Sequence, residues 1–304
     1  MEVAATIIMP TFNHGGTIEY AVASVLNQTI SDFELFIIGD GVPESSKEMI
    51  QVLADSDPRI RFFDNPKHSR RGEPYRHQAL QEARGKIVCY ICDRDLWLPN
   101  HLEYMQALLQ NADFAHCLSL HIFTGDKYRF FPIDLSNPFY RKYMQERHAH
   151  NRVAFSCAAH TIDMYRRLPI GWETTPEKIF TDWYMFKKFL AVEDCRCVSG
   201  TYPSAITFPS PPRLNCSQEE RIAELQHWAN RVSTAEGRMQ YVIEALEKAV
   251  SLRDKELASM LRSQRAMRSS TWWQLGQRLK KVPGLKKLSE LYRFIFSRKQ
   301  QLRV

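Results

Sequence analysis

The sequence contains no run of about 18 apolar residues, the length needed to cross a bilayer, so no segment reads as a transmembrane helix. Its opening, Met1-Glu2-Val3-Ala4-Ala5, lacks the basic-then-apolar order of a signal peptide. The seven cysteines are odd in number and irregularly spaced. Cys89-x-x-Cys92 lies along a strand reading and Cys195-x-Cys197 has no second pair near it, so neither reads as a zinc site. A reduced, cytosolic chain is expected. Positive charge is scarce over most of the length: residues 1–270 carry 32 basic and 33 acidic side chains, about −1 in sum. That balance places the basic character in the tail and gives no sign of a nucleic-acid groove on the main domain, so no specific nucleic-acid partner is expected. No basic, glycine-rich phosphate loop follows the first apolar run, where Gly15-Gly16 stands alone, which argues against a nucleotidyltransferase.

What is present is an alternation of short apolar runs and helical patterns. Ala4–Met9, Phe33–Ile38, Ile60–Phe63 and Ile87–Ile91 read as strands. Between them, Thr17 is placed to cap a helix carrying Ile18, Ala21, Val22, Val25 and Leu26. Ser45-x-x-Glu48 reads as a capping box, and Pro74 opens a helix that Gly85 ends. The runs are apolar throughout, the mark of parallel strands covered on both faces. Thr11, Asp40 and Asp93 each follow closely on a strand, so they should converge on one sheet edge, where open α/β sheets bind ligands. Asp93-Arg94-Asp95 lies between a strand and a helix beginning near Pro99. Two acids there suit a divalent cation shared with a substrate diphosphate, since hard cations take carboxylate and phosphate oxygen.

Several of these segments, in order, resemble the opening of family 2 glycosyltransferases. They are Pro10-Thr11-Phe12-Asn13, Ser24–Thr29, Asp32–Gly41, Tyr75-Arg76-His77, Ala83-Arg84-Gly85 and Asp93-Arg94-Asp95…Pro99, and the resemblance covers about residues 4–210. It implies an α/β GT-A fold (Rossmann-like, a mainly parallel sheet with flanking helices) and an inverting, nucleotide-sugar-dependent transferase. Thr11 and Asp40 would contact the nucleobase, Arg76 would lie near the nucleotide, and Asp93 and Asp95 would hold Mg or Mn and the sugar diphosphate. Two positions depart from the pattern. Gly39 replaces one acid before Asp40, and Arg94 stands where the family usually has an acid, with Cys92 replacing another. Arg94 is therefore a candidate partner of the diphosphate itself, because a guanidinium pairs well with phosphate oxygens.

Asp182, at the start of a helical pattern after a turn-rich segment, falls where the family places its general base. A helix N-terminus is expected to lower its pKa and keep it ionised. Without the resemblance, Asp182 reads as a helix cap. His160, Trp172 and Trp183 are candidates for the acceptor. Core packing is the alternative for the tryptophans and a structurally satisfied imidazole for His160. Lys67, His68, Arg70 and Arg71 form a basic loop within reach of a diphosphate, or a solvated loop.

After Pro212 the character changes, and three regions are expected: a GT-A domain at 1–212, a helical stretch at 213–268 and a basic amphipathic tail at 269–304. Met239, Ile243, Leu246, Val250, Leu257 and Met260 give about three heptads, read either as a coiled coil pairing two copies through 239–260 or as a long helix folded back. Residues 271–304 carry nine Lys and Arg against Glu290 alone, which accounts for the net charge of +7 over the whole chain, and interleave them with Trp272, Trp273 and Phe296. That composition suits an anionic membrane surface, at about 1 kcal/mol per basic residue. The sequence thus reads as a cytoplasmic transferase peripheral to the inner face of the cell membrane. It would act on a glycan or lipid-linked acceptor in surface-polysaccharide synthesis. The alternative is a non-catalytic, nucleotide-binding scaffold subunit.

Overall fold

The computed structural model describes residues 3–271, apart from 14 and 126, together with 273 and 274. Four strands come first: β1 (Val3–Thr11), β2 (Phe33–Gly39), β3 (Ile60–Phe63) and β4 (Gly85–Tyr90). Helices α1 (Gly15–Leu26), α2 (Glu44–Ser56) and α3 (Glu73–Gln81) connect them. β1 pairs in parallel with both β2 and β4, and β2 with β3. Every residue of β2 is buried. Its alternate side chains feed two cores: Leu35 and Ile37 join Ile7 and Met9 against α1, while Phe36 and Ile38 join Ile8, Val88 and Tyr90 on the other face. A strand apolar on both faces is stable only where helices cover both.

The helix starts differ from the sequence reading. α1 begins at Gly15, ahead of Thr17, and the Thr17 hydroxyl donates to the Asp93 carbonyl at 2.9 Å instead of capping. α2 begins at Glu44 with Pro43 before it and no side-chain cap, so Ser45 and Glu48 form no capping box. Gly85 opens β4 and does not end α3, which stops at Gln81.

Beyond β4 come β5 (Leu96–Trp97), α4 (His101–Leu109), β6 (Phe114–His116), the hairpin β7 (Leu120–Phe123) and β8 (Lys127–Phe130), and α5 (Pro138–Glu146). They are followed by β9 (Ala158–Thr161), α6 (Ile162–Arg167), α7 (Thr181–Ala191), β10 (Cys197–Ser199) and β11 (Ala205–Ile206). The main sheet runs β10-β6-β9-β4-β1-β2-β3. β9 lies antiparallel between β4 and β6, so the sheet is mixed at this end and parallel across β4-β1-β2-β3.

The chain divides into two compact units, Met1–Ala249 and Val250–Val304. Helix α8 (Gln218–Ser233) and the first part of α9 (Ala235–Ser269) belong to the first unit, which therefore extends well past residue 212. A capping box between Ser217 and Glu220 opens α8. Trp228 of α8 and Tyr241 of α9 are fully buried in a third core with Leu98, Leu120 and Phe208. On α9 the buried positions are Tyr241, Ala245 and Ala249, whereas Met239, Ile243 and Leu246 are exposed. Met239, Ile243 and Leu246 are thus not on the face of α9 that packs within the first unit. Within the second unit Val250, Leu257 and Met260 are likewise exposed. The basic tail lies outside the described residues from 275 onward, as does Trp272. Among the described residues no helix is long and apolar enough to cross a membrane.

Candidate active site

The carboxyl ends of β1, β2 and β4 meet at a cavity of about 390 Å³. β1 supplies Pro10 and Thr11 to its lining, the turn after β2 supplies Asp40, and the turn after β4 supplies Cys92, Asp93 and Arg94. Parallel register causes this meeting: Thr11 lies opposite Gly39, and the Asp40 amide donates to the Thr11 carbonyl at 3.0 Å. The Thr11 hydroxyl then donates to Asp93 Oδ2 at 2.8 Å. Two glycines shape the pocket around Asp40. Gly41 (φ +71°) and Gly72 (φ +64°) both hold left-handed backbone that favours glycine, and a Cβ on Gly72 would sit 3.0 Å from Asp40 Cβ. Asp40 accepts from Lys67 Nζ at 2.5 Å and from the His68 amide at 2.6 Å.

The basic loop before α3 closes one side, with Lys67, Arg70 and Arg71 lining the cavity alongside Arg76 of α3. Arg76 is 5% exposed. It packs over Trp172, 4.9 Å from the ring centroid, and one Nη donates to the Arg71 carbonyl at 2.6 Å. Burial pulls its pKa down, against the raising effect of Glu73. Its Nε is buried with no hydrogen-bond partner.

Asp182, at the start of α7, lines the same cavity. The Trp183 amide and the Asn151 side chain donate to its two oxygens at 2.9 and 3.0 Å. Its pKa is raised, opposite to the helix-dipole expectation, because burial outweighs those hydrogen bonds and the Arg71 charge. A carboxyl raised in this way is closer to the operating pH of a general base.

Thr11, Asp40, Arg76, Asp93, Arg94 and Asp182 are thus brought together, and four other candidates are not. Asp95 is 5% exposed and turned from the cavity. Its Oδ2 accepts from Ser156 Oγ at 2.5 Å and its Oδ1 from the Phe208 amide at 2.8 Å. It ties the turn to the rest of the domain. His160 is fully buried between Tyr90, whose hydroxyl lies 2.7 Å from Nε2, and the Thr161 carbonyl. Its pKa is pushed down to about 4 by burial. Trp172 lies beneath Arg76 and donates to Tyr90 Oη, and Trp183 donates to the Met144 carbonyl at 2.5 Å. None of these three lines the cavity: His160 on β9 and Trp183 on α7 are turned into the core, and Trp172, between α6 and α7, is buried under Arg76. Phe12, Phe155 and Ser210 complete the wall. Phe12 lies within the Pro10–Asn13 motif, whereas no sequence signal marks Phe155 or Ser210.

The divalent ion implied for Asp93 and Asp95 can be tested against these side chains. The Asp95 oxygens both accept internal hydrogen bonds, and Arg94 Nη1 lies 3.1 Å from Asp93 Oδ1. Among the described residues no group of three or more His, Cys, Asp and Glu is arranged to hold a metal. This donor set does not fit a divalent ion.

The model of glycosyl transferase family 2 matches residues 6–168, just over half of the chain. The chain belongs to glycosyl transferase family 2. This family member is 29% identical over 119 residues to a GalNAc(5)-diNAcBac-PP-undecaprenol beta-1,3-glucosyltransferase of Campylobacter jejuni, across 37% of this chain and 38% of that protein. It is 31% identical over 113 residues to the UDP-Glc:alpha-D-GlcNAc-diphosphoundecaprenol beta-1,3-glucosyltransferase WfgD of Escherichia coli, across 36% of this chain and 44% of that protein. The matched stretch thus spans less than half of either relative. In fold, it is similar to S. aureus TarS 1-349 in complex with UDP-GlcNAc, with a TM-score of 0.54 at 13% identity over 92% of this chain and 82% of that one. The family member has the GT-A architecture, a mainly parallel sheet flanked by helices, followed by a helical C-terminal region.

Proposed function

We propose that this family 2 member is an inverting glycosyltransferase. It moves a sugar from a nucleotide-sugar donor to a hydroxyl of a glycan or lipid-linked acceptor in surface-polysaccharide synthesis. The observation that carries this reading is the shared cavity: Asp182 lines the same space as the strand-end residues Thr11, Asp40 and Asp93. Nucleotide binding at the strand ends puts the donor's sugar within the cavity that Asp182 borders. Asp182 removes the proton from the acceptor hydroxyl as its oxygen attacks the anomeric carbon. The nucleoside diphosphate departs from the opposite face, and the positive side chains around it stabilise its charge. Thr11 and Asp40 contact the base, with Lys67 and the His68 amide orienting the Asp40 carboxylate.

The names of both relatives specify diphosphoundecaprenol-type acceptors, and WfgD specifies UDP-Glc. A UDP-sugar and a polyprenyl-diphosphate-linked glycan are therefore the first substrates to try. Residues 269–304 hold the protein on the inner, anionic face of the membrane, beside such an acceptor. The exposed stripe from Met239 to Met260 offers a surface for a second copy. Transfer of labelled sugar from UDP-sugars to a lipid-linked acceptor, measured for the wild type and Asp182→Asn, tests the reading. Transfer abolished by the substitution supports it. Tight nucleotide binding with neither transfer nor donor hydrolysis, across a donor panel, overturns it in favour of a scaffold.

A further inference from the structure

The cavity holds more positive charge than its own acids neutralise. Five cations line it, Lys67, Arg70, Arg71, Arg76 and Arg94, against three carboxylates, Asp40, Asp93 and Asp182. Two of the cations are paired: Lys67 with Asp40 and Arg94 with Asp93. The other three make no direct ion pair among the described residues, although Glu73 and Asp182 lie near enough to interact with Arg76 and Arg71. Arg70 donates to the Thr175 and Pro176 carbonyls at 2.9 and 3.0 Å, and Arg76 to the Arg71 carbonyl, all neutral acceptors.

Arg76 is the decisive case. A guanidinium this deeply buried is costly unless its N–H groups find partners, and its Nε has none. Its guanidinium carbon lies 4.9 and 5.7 Å from the ring centroids of Trp172 and Phe155, and the residue lines the cavity. A ligand that brings anionic oxygens into the cavity that Arg76 lines offsets the charge that burial leaves poorly solvated. Arg94, which lines the same cavity, is paired with Asp93 Oδ1, and both Asp95 oxygens accept from Ser156 and Phe208.

We infer that guanidinium groups replace the divalent cation in this enzyme: Arg76 and Arg94, supported by Arg70 and Arg71, bind the donor diphosphate directly. Donor binding is then independent of divalent metal. The charge that develops on the bridging oxygen as the sugar–phosphate bond breaks is met by fixed N–H donors. A planar fork suits this role, because it pairs two phosphate oxygens at once and holds its charge at every working pH. The inference rests on the glycosyltransferase reading, since it supposes that the anion is a nucleoside diphosphate.

The test is calorimetric titration of the full chain with UDP, GDP, ADP and CDP, in chelator and then in excess Mn²⁺ or Mg²⁺. One nucleoside diphosphate should bind with an affinity that changes less than about threefold between the two conditions. Arg94→Gln and Arg76→Gln should each weaken it by about tenfold or more, as expected for loss of a charge-assisted pair. Arg94→Lys should recover part of the loss. Thermal melting checks that the variants fold, and the chelator comparison on the wild type needs no variant at all. Binding that appears only with the metal, and that Arg94→Gln leaves intact, overturns the inference while keeping the transferase. Failure of every nucleoside diphosphate to bind in either condition overturns both.

Discussion

Asp95 and Phe208 are joined by a 2.8 Å hydrogen bond that spans 113 positions of the chain. The bond fastens the turn after β4 to the segment following β11, and Ser156 completes it from a third direction. Asp95→Ala leaves the Phe208 N–H and the Ser156 hydroxyl buried without an acceptor. Each stranded group costs about 1–3 kcal/mol. The melting temperature should fall by several degrees, while the response of nucleotide affinity to Mn²⁺ stays as in the wild type. A variant of wild-type stability that changes its metal response would return Asp95 to the ligand site.

Asp182→Asn keeps the size of the side chain and the Trp183 contact but removes the base. Transfer should fall by about 10²- to 10⁴-fold with nucleotide affinity little changed. The pH profile carries a second signature. A base must be ionised to act, so kcat/KM is lost as pH falls through its pKa. Burial raises that pKa, so the acidic limb should lie above the ordinary aspartate range near 4. A profile flat down to that range would remove Asp182 from the role.

Gly72→Ala tests the shaping of the Asp40 corner. At φ +64° the new Cβ costs about 1–2 kcal/mol, and it meets Asp40 at 3.0 Å. Nucleotide affinity should drop several-fold as Asp40 shifts, with a melting temperature only a few degrees lower. Unchanged affinity would separate Asp40 from the nucleotide.

Trp228→Ala probes the attachment of α8. The indole is fully buried against Phe208 and Tyr241. Its removal should cost about 3–5 kcal/mol, read by chemical denaturation. Truncation after residue 212 should yield an insoluble product, because Leu98, Leu120 and Phe208 would lose their cover. A soluble, folded 1–212 fragment would contradict the extended unit.

The parallel half of the sheet was legible because its strands carry apolar side chains on both faces, a pattern that needs no partner to be recognised. β9 was harder. Ala158-Ala159-His160-Thr161 is short and weakly patterned, and its place between β4 and β6 depends on pairing with strands far away in sequence. His160 and Trp183 looked like acceptor residues by type, but a polar atom in the interior satisfied by Tyr90 or a carbonyl is indistinguishable in sequence from one reaching for a ligand. The break at Thr234 between α8 and α9 was hidden for a similar reason: a polar stretch without proline reads as one helix.

By itself, the order of residues determined where the chemistry could lie. Parallel strands all point one way, so Thr11, Asp40 and Asp93 had to share an edge whatever the rest of the chain did. Only the tertiary structure decided what each charged group on that edge is free to do. Asp93 and Asp95 differ by two positions, yet one lines the cavity and the other is spent on Ser156 and Phe208. Arg76 is buried only because Trp172 and Phe155, distant in sequence, pack against it. The partners that satisfy or strand a buried charge come from distant segments, and local spacing carries no record of them.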